Sequence, residues 1–145
     1  MIKILLLLLP LILLSKIVQT GDNIVPIKLM SQHNKEHVLV ESGIWIISWD
    51  KQTTRVANNY FENNKMQSNT NLLVDVSQAP SGIFNLFILP RMQKYKHTIL
   101  LSFSEAYNKT LPYSENKLTI LYIKNNLIEN IKFVEDMAQL DEALK

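Results

Sequence analysis

The stretch GIWIISWDKQTTRVANNYF, residues 43–61, reads as a buried strand, a polar turn and a helix, and it decides the fold class. Apolar side chains fall on both sides of the strand at 44–49, which is typical of a central strand in a sheet covered on both faces. The apolar residues after the turn recur at helical spacing, so a helix is predicted over 52–67. A buried strand that leads directly into a helix indicates an α/β protein.

Strand and helix patterns continue on both sides of this stretch. Two short apolar runs around Asn34-Lys35 predict a hairpin over 24–41. The remaining predicted elements are a strand at 71–77, a helix at 79–96 kinked or split by Pro90, a strand at 97–103, a polar connection at 104–117, strands at 118–124 and 127–134 joined by Asn125-Asn126, and a closing helix within 135–145. The residues predicted to face inward from the second and last helices are Ile83, Phe84, Phe87, Ile88, Met92, Met137, Leu140 and Leu144. This alternation predicts a mixed sheet with helices on both faces.

The order of elements over residues 24–144 resembles the thioredoxin fold in its peroxiredoxin-like form. The matching stretches are IKLMSQHNKEHVLV (27–40) for the entry hairpin, IWIISWDKQTTR (44–55) for the strand and turn that carry the redox cysteines, LLVDVSQAPSG (72–82) for the next strand and helix start, HTILLSFSEAYNKTLPY (97–113) for the inserted strand and loop, and LTILYIKNNLIENIKFVEDMAQLDEAL (118–144) for the closing hairpin and helix. The resemblance implies an α/β domain with a thioredoxin-like mixed sheet, flanked by helices and preceded by an N-terminal hairpin. Small periplasmic peroxiredoxin-like proteins are similar in size and layout.

The departures from this family concern its chemistry. The chain contains no cysteine, and the family's catalytic cysteine would fall around residues 51–54. Many members place a cis-proline directly before the strand that begins here at Leu118, where this chain has Lys117. Thiol chemistry needs a thiolate, so redox activity is excluded. We therefore expect a protein that is not an enzyme and has no cofactor.

The N-terminus, MIKILLLLLPLILLSKIVQTGDN, has a basic start at Lys3 and an apolar run at 4–14. That length suits the apolar region of a signal peptide and is short for a membrane-spanning helix. We expect a signal peptide over 1–20, cleavage near Gly21, and a mature domain over 24–144 in a bacterial periplasm. The alternative is an uncleaved membrane anchor with Lys16 and the following residue at the interface. From residue 21 onward, 13 acidic and 13 basic residues balance and no basic cluster occurs, so neither nucleic acid nor an anionic membrane surface is expected as a partner. Contact with a membrane is expected only through the N-terminal segment if it stays uncleaved.

The polar turn supports two interpretations. The oxygens of Asp50, Thr53 or Thr54 could cap the helix that follows. Alternatively, the helix N-terminus could contact an anion or another ligand, aided by Lys51 and Arg55. The residues predicted to form a partner-binding surface, together with the 104–117 loop, are Trp49, Asp50, Lys51, Gln52, Thr53, Thr54, Arg55 and Tyr113.

HNKEH, residues 33–37, matches the zinc-peptidase pattern H-x-x-E-H. That chemistry needs both histidines on one face of a helix, and this segment lies across a predicted hairpin turn, so the match is accidental. A surface metal site remains conceivable if His33 and His37 face each other across the hairpin.

Two functional hypotheses follow. The first is a non-enzymatic, exported thioredoxin-like domain that binds another envelope protein, as a scaffold, an assembly factor or an accessory subunit of a bacterial envelope complex. The second is a periplasmic carrier of a small molecule or a metal.

Overall fold

A computed structural model describes residues 16–145, and most of the expected signal peptide lies outside them. The strands are β1 (Lys28–Ser31), β2 (Glu36–Val38), β3 (Gly43–Ser48), β4 (Thr70–Asp75), β5 (Leu100–Ser102), β6 (Leu118–Lys124) and β7 (Leu127–Val134). They form one sheet in the order β2-β1-β5-β4-β3-β6-β7. β3, β4 and β5 are parallel neighbours, and the other pairs are antiparallel. The predicted mixed sheet is confirmed.

The helices are α1 (Lys51–Asn63), α2 (Ser81–Ile83), α3 (Leu89–Met92), α4 (Glu105–Asn108) and α5 (Met137–Ala143). A π-helical turn, Phe84–Ile88, joins α2 to α3, and the Leu89 N–H donates to the Phe84 carbonyl five residues back. Such turns insert one extra residue into a helix. The turn ends two residues before Pro90, which has no N–H to donate, so the predicted disturbance near this proline takes the form of a π turn.

Apolar side chains cover both faces of the sheet. On one face, α1, the 81–92 helix and α5 pack over Ile46 and Leu72. On the other face, Trp45 and Ile47 lie beneath α4 and the chain that precedes β1. The apolar pattern of β3 therefore predicted its central position correctly, because consecutive side chains of a strand point to opposite faces.

The two predicted hairpin turns are confirmed by backbone angles. Asn34 has φ 57°, and Asn125 and Asn126 have φ 50° and 65°. Asparagine tolerates this left-handed region better than most residues. The consecutive positive angles in the β6–β7 connection fit the type I′ turn that the Asn-Asn pair predicted.

For three residues, the prediction that they lie in the core was wrong. Ile83 and Phe87 are 50% and 60% exposed. The buried residues of that helical segment are Phe84 and Met92, and the π turn at 84–88 shifts Phe87 away from the buried side. Met137 is exposed, since it is the first residue of α5 and only Leu140 and Ala143 are buried in that short helix. In the described part of the chain, no helix is long and apolar enough to cross a membrane.

Candidate functional site

The predicted site lies where β3 ends and α1 begins. Asp50 has extended backbone geometry at the helix N-cap, and its Oδ1 accepts a hydrogen bond from the Thr53 N–H at 2.8 Å. The Thr53 hydroxyl oxygen accepts in return from the Asp50 N–H at 3.2 Å. This reciprocal pair is a capping box, which satisfies backbone donors that a helix start leaves free. The capping interpretation of the turn is therefore confirmed, with Asp50 as the cap.

The capping residues have the spacing of a redox motif. A thioredoxin-like C-x-x-C motif places two thiols three residues apart, and its reactive thiol lies at a helix N-terminus. Asp50 and Thr53 are three residues apart at such an end, and their side chains bind each other, because the Thr53 hydroxyl donates to Asp50 Oδ1 at 2.9 Å. The Asp50 carboxylate also places a negative charge where the helix would attract an anion, which disfavours the anion-contact interpretation.

The rest of the turn divides into anchored and exposed residues. The Thr54 hydroxyl donates to the Asp50 carbonyl at 2.6 Å and lies 2.8 Å from the Ser48 hydroxyl. Lys51, Gln52 and Arg55 are exposed. The three residues that point to solvent are therefore presented from a fixed helix start.

The structure brings Trp49 and Tyr113 together, although they are far apart in the sequence. Their rings meet edge to face, with centroids 5.3 Å apart. The Trp49 indole N–H donates to the Thr119 hydroxyl at 3.0 Å, and that hydroxyl donates to the Pro112 carbonyl at 2.7 Å. The 104–117 connection is thereby held against the turn, and Tyr113 remains 57% exposed. We call residues 49–55 together with Tyr113 the rim.

A polar cluster fixes the connection at the neighbouring strand ends. Asp75 Oδ1 accepts from the Asn108 side-chain amide at 2.8 Å and from the Ser77 hydroxyl at 2.6 Å. Ser102 at the end of β5 also hydrogen-bonds the Asn108 side chain. Since parallel strands end at one edge of the sheet, this cluster lies on the same edge as the rim. Sequence reasoning missed it, because no local pattern pairs residues from a strand end with a distant short helix.

The structure separates the two histidines of the hairpin, His33 and His37. The hairpin register places His37 opposite Leu29, and His33 lies in the turn with its Nε2 3.4 Å from the Tyr95 carbonyl. His33 and His37 therefore do not face each other across the hairpin, which was the condition for a metal site shared by them. Residues 16–145 contain no group of three or more histidine, cysteine or acidic side chains placed to hold a metal.

Several titratable groups outside the rim have shifted pKa values, among them His97 and Tyr107. Burial lowers the pKa of His97, whose Nε2 lies 2.8 Å from the Asn58 side-chain oxygen. Burial raises the pKa of Tyr107 to about 12, and its hydroxyl has no hydrogen-bond partner among the described residues. Neither group forms a hydrogen bond with a rim residue in the described structure. Their pKa shifts therefore reflect burial in the packed protein and give no evidence about the rim.

Comparisons with known proteins agree with this architecture. No family model matches the chain, and no curated protein matches it. Among solved structures, it is similar to StoA from Bacillus subtilis, with a TM-score of 0.59, 12% identity, and coverage of 83% of this chain and 97% of that one. It is also similar to the thioredoxin domain of a thiol-disulfide oxidoreductase from Bacteroides vulgatus, with a TM-score of 0.54, 9% identity, and coverage of 88% and 99%. A peroxiredoxin-like protein from Aquifex aeolicus gives a TM-score of 0.52 at 10% identity, with coverage of 88% and 85%.

These likenesses define the fold. The chain has a thioredoxin-like α/β fold, and the resemblance to peroxiredoxin-like proteins is confirmed at that level. The identities are too low to carry an activity to this chain. The function therefore has to be argued from the rim.

Proposed function

We propose that this chain is a non-enzymatic thioredoxin-like domain that binds another protein of the bacterial envelope through the rim. It would serve as a scaffold, an assembly factor or an accessory subunit. The observation that carries the proposal is the capping box of Asp50 and Thr53, which have the three-residue spacing of a redox motif at the start of a helix but contain no thiol. In this chain the polar side chains at the helix start stabilise the helix by capping it.

The composition of the rim supports protein binding. Arginine and aromatic side chains are enriched among the residues that dominate binding energy at protein interfaces, and the rim exposes Arg55 and Tyr113. Tyr113 is also preorganised by its contact with Trp49, which is itself hydrogen-bonded. A side chain ordered before binding loses less conformational entropy in the complex.

The N-terminal apolar run supports the proposed location of the domain. Residues 4–14 have the length of the apolar part of an export signal, which supports export to the periplasm. A domain without cysteine can be stable there only through its packed core, since no disulfide is available. The proposed partner is therefore an envelope protein.

The carrier hypothesis has less support. His33 and His37 do not face each other, and the described residues offer no larger set of metal ligands. Calorimetric titration of the protein with Zn²⁺, Cu²⁺ and envelope metabolites tests it. Binding at micromolar concentrations would favour the carrier over the partner-binding domain.

Crosslinked affinity capture from intact envelopes tests the proposed function. The tagged chain is compared with Arg55→Glu and Tyr113→Ala, which change exposed rim residues, and with Lys94→Glu, which reverses a charge on an exposed residue outside the rim. We expect one stoichiometric partner with the natural chain and Lys94→Glu, and at least tenfold less with either rim variant. Equal capture by all of them would overturn the rim as the binding surface.

A further inference from the structure

The segment that follows the N-terminal apolar run is part of the folded domain. The Val18 N–H donates to the Thr110 carbonyl at 2.8 Å, and the Gly21 N–H donates to the Ile128 carbonyl at 2.8 Å. Val18 also packs against the buried cluster on the second face of the sheet. Cleavage near Gly21 would therefore remove a residue that the domain uses for packing and for backbone hydrogen bonding.

An apolar groove lies between this segment and β7. It has a volume of about 450 Å³. Six of its eight lining residues are apolar or aromatic, among them Ile17, Ile131 and Phe133, and the other two are Gln19 and Thr20. Ile17 is 51% exposed and Phe133 is 40% exposed, so large apolar side chains face solvent here. We call this feature the β7 groove.

The sequence places the β7 groove next to the apolar run. That run ends at Leu14, three residues before Ile17. Because a chain extends at most about 3.6 Å per residue, Ile17 lies within about 11 Å of Leu14. If the run inserts into a membrane, the β7 groove has to lie close to the bilayer surface.

We propose that the chain keeps its N-terminal apolar run as a membrane anchor and that the β7 groove rests on the lipid bilayer. Aromatic side chains suit the boundary between headgroups and acyl chains, and Phe133 would supply one. The Lys16 ammonium group lies 3.5 Å from Asp22 Oδ1 in an exposed ion pair, and at a bilayer surface it can exchange this partner for an anionic headgroup. This replaces the expectation of cleavage near Gly21, and it does not depend on the proposed protein partner.

Single-cysteine labelling tests the proposal, because the natural chain has no other thiol to react. Phe133→Cys in the full chain carries an environment-sensitive nitrobenzoxadiazole label at the groove. Val38→Cys carries the same label on β2, an exposed apolar position at the opposite edge of the sheet. Both proteins are reconstituted with vesicles of phosphatidylcholine and phosphatidylglycerol. We expect blue-shifted emission and at least threefold weaker iodide quenching at position 133 than at position 38.

Two results would overturn the proposal. Equal iodide quenching at both positions would show that the groove faces water even when the chain is bound to vesicles. A natural protein whose intact mass, measured from bacterial envelopes, corresponds to a chain starting at Gly21 would show that the anchor is removed. Both readouts are independent of protein partners, so they separate this proposal from the proposed function.

Discussion

The Trp49 indole N–H donates a hydrogen bond to the Thr119 hydroxyl at 3.0 Å, across 70 residues of sequence. Thr119 is fully buried, and its hydroxyl in turn donates a hydrogen bond to the Pro112 carbonyl. Through this one hydroxyl, the turn before α1, strand β6 and the 104–117 connection are held together. The rim is therefore a tertiary structure, built from segments that come together only in the folded chain.

Thr119→Val tests this arrangement. The substitution keeps the shape of the side chain but leaves the indole N–H and the Pro112 carbonyl without their shared partner. A buried polar group that loses its partner costs roughly 1–3 kcal/mol, so we expect a loss of about that size in the free energy of unfolding. Urea unfolding measures it. Thr119→Ser keeps the hydroxyl and should lose less, and equal losses in both variants would contradict the role assigned to the hydrogen bonds.

Asp50→Ala removes the helix cap. Loss of an N-cap side chain typically costs about 1 kcal/mol, and we expect a decrease of that order in the free energy of unfolding. Asp50→Asn retains an acceptor oxygen and is the matched control. Chemical denaturation of the three proteins under identical conditions provides the measurement. An Asp50→Ala protein as stable as the natural chain would show that the capping box does not stabilise α1.

A double variant, Asp50→Cys with Thr53→Cys, tests whether these positions are equivalent to the redox motif. Thiols at this spacing and at a helix start are placed as in C-x-x-C motifs, so mild oxidation should form an intramolecular disulfide. Thiol titration before and after oxidation should fall from two free thiols to none. Asp50→Cys alone keeps its one thiol in the monomer. Two thiols that stay free in the folded double variant would contradict the assignment.

The lowered pKa of His97 predicts that the folded protein loses stability in acid. Burial lowers its pKa in the folded protein below the usual value of about 6.5. Above pH 6.5 the imidazole is neutral in both the folded and the unfolded chain, so it adds nothing to the pH dependence of stability. Below that pH the unfolded chain binds the proton first, so stability falls with falling pH until the folded-state pKa is passed.

Urea unfolding between pH 7.5 and 5 measures this effect. His97→Gln keeps a polar side chain near Asn58 and should flatten the decrease, whereas His33→Gln, on the exposed hairpin turn, should not. A His97→Gln protein with the same pH dependence as the natural chain would assign the acid sensitivity to other groups.

The sequence predicted the parts of the fold that local physics determines. The two-faced apolar pattern of β3 and the left-handed angles of Asn125 and Asn126 both follow from neighbouring residues, and both were confirmed. The sequence also reduced the cap to three candidates, of which Asp50 is the residue observed.

The remaining features depend on the packed chain. Periodicity placed Phe87 in the core, but the π turn next to Pro90 moves it to the surface. Thr119 gave no local signal, because its role comes from partners on β3 and on the long connection. Sequence patterns report which side of an element is apolar, and they do not report which distant residues will meet there.

The most direct test of the central claim is site-specific photocrosslinking at Gln52, an exposed residue in the middle of the rim. A photoreactive amino acid replaces Gln52 in one chain and Lys28, an exposed residue on β1, in the control. Illumination of living bacteria, followed by mass spectrometry, identifies what each position touches. The account predicts one dominant envelope protein crosslinked at position 52 and not at position 28. The absence of any protein crosslink at position 52, or the same products at both positions, would contradict a protein-binding rim.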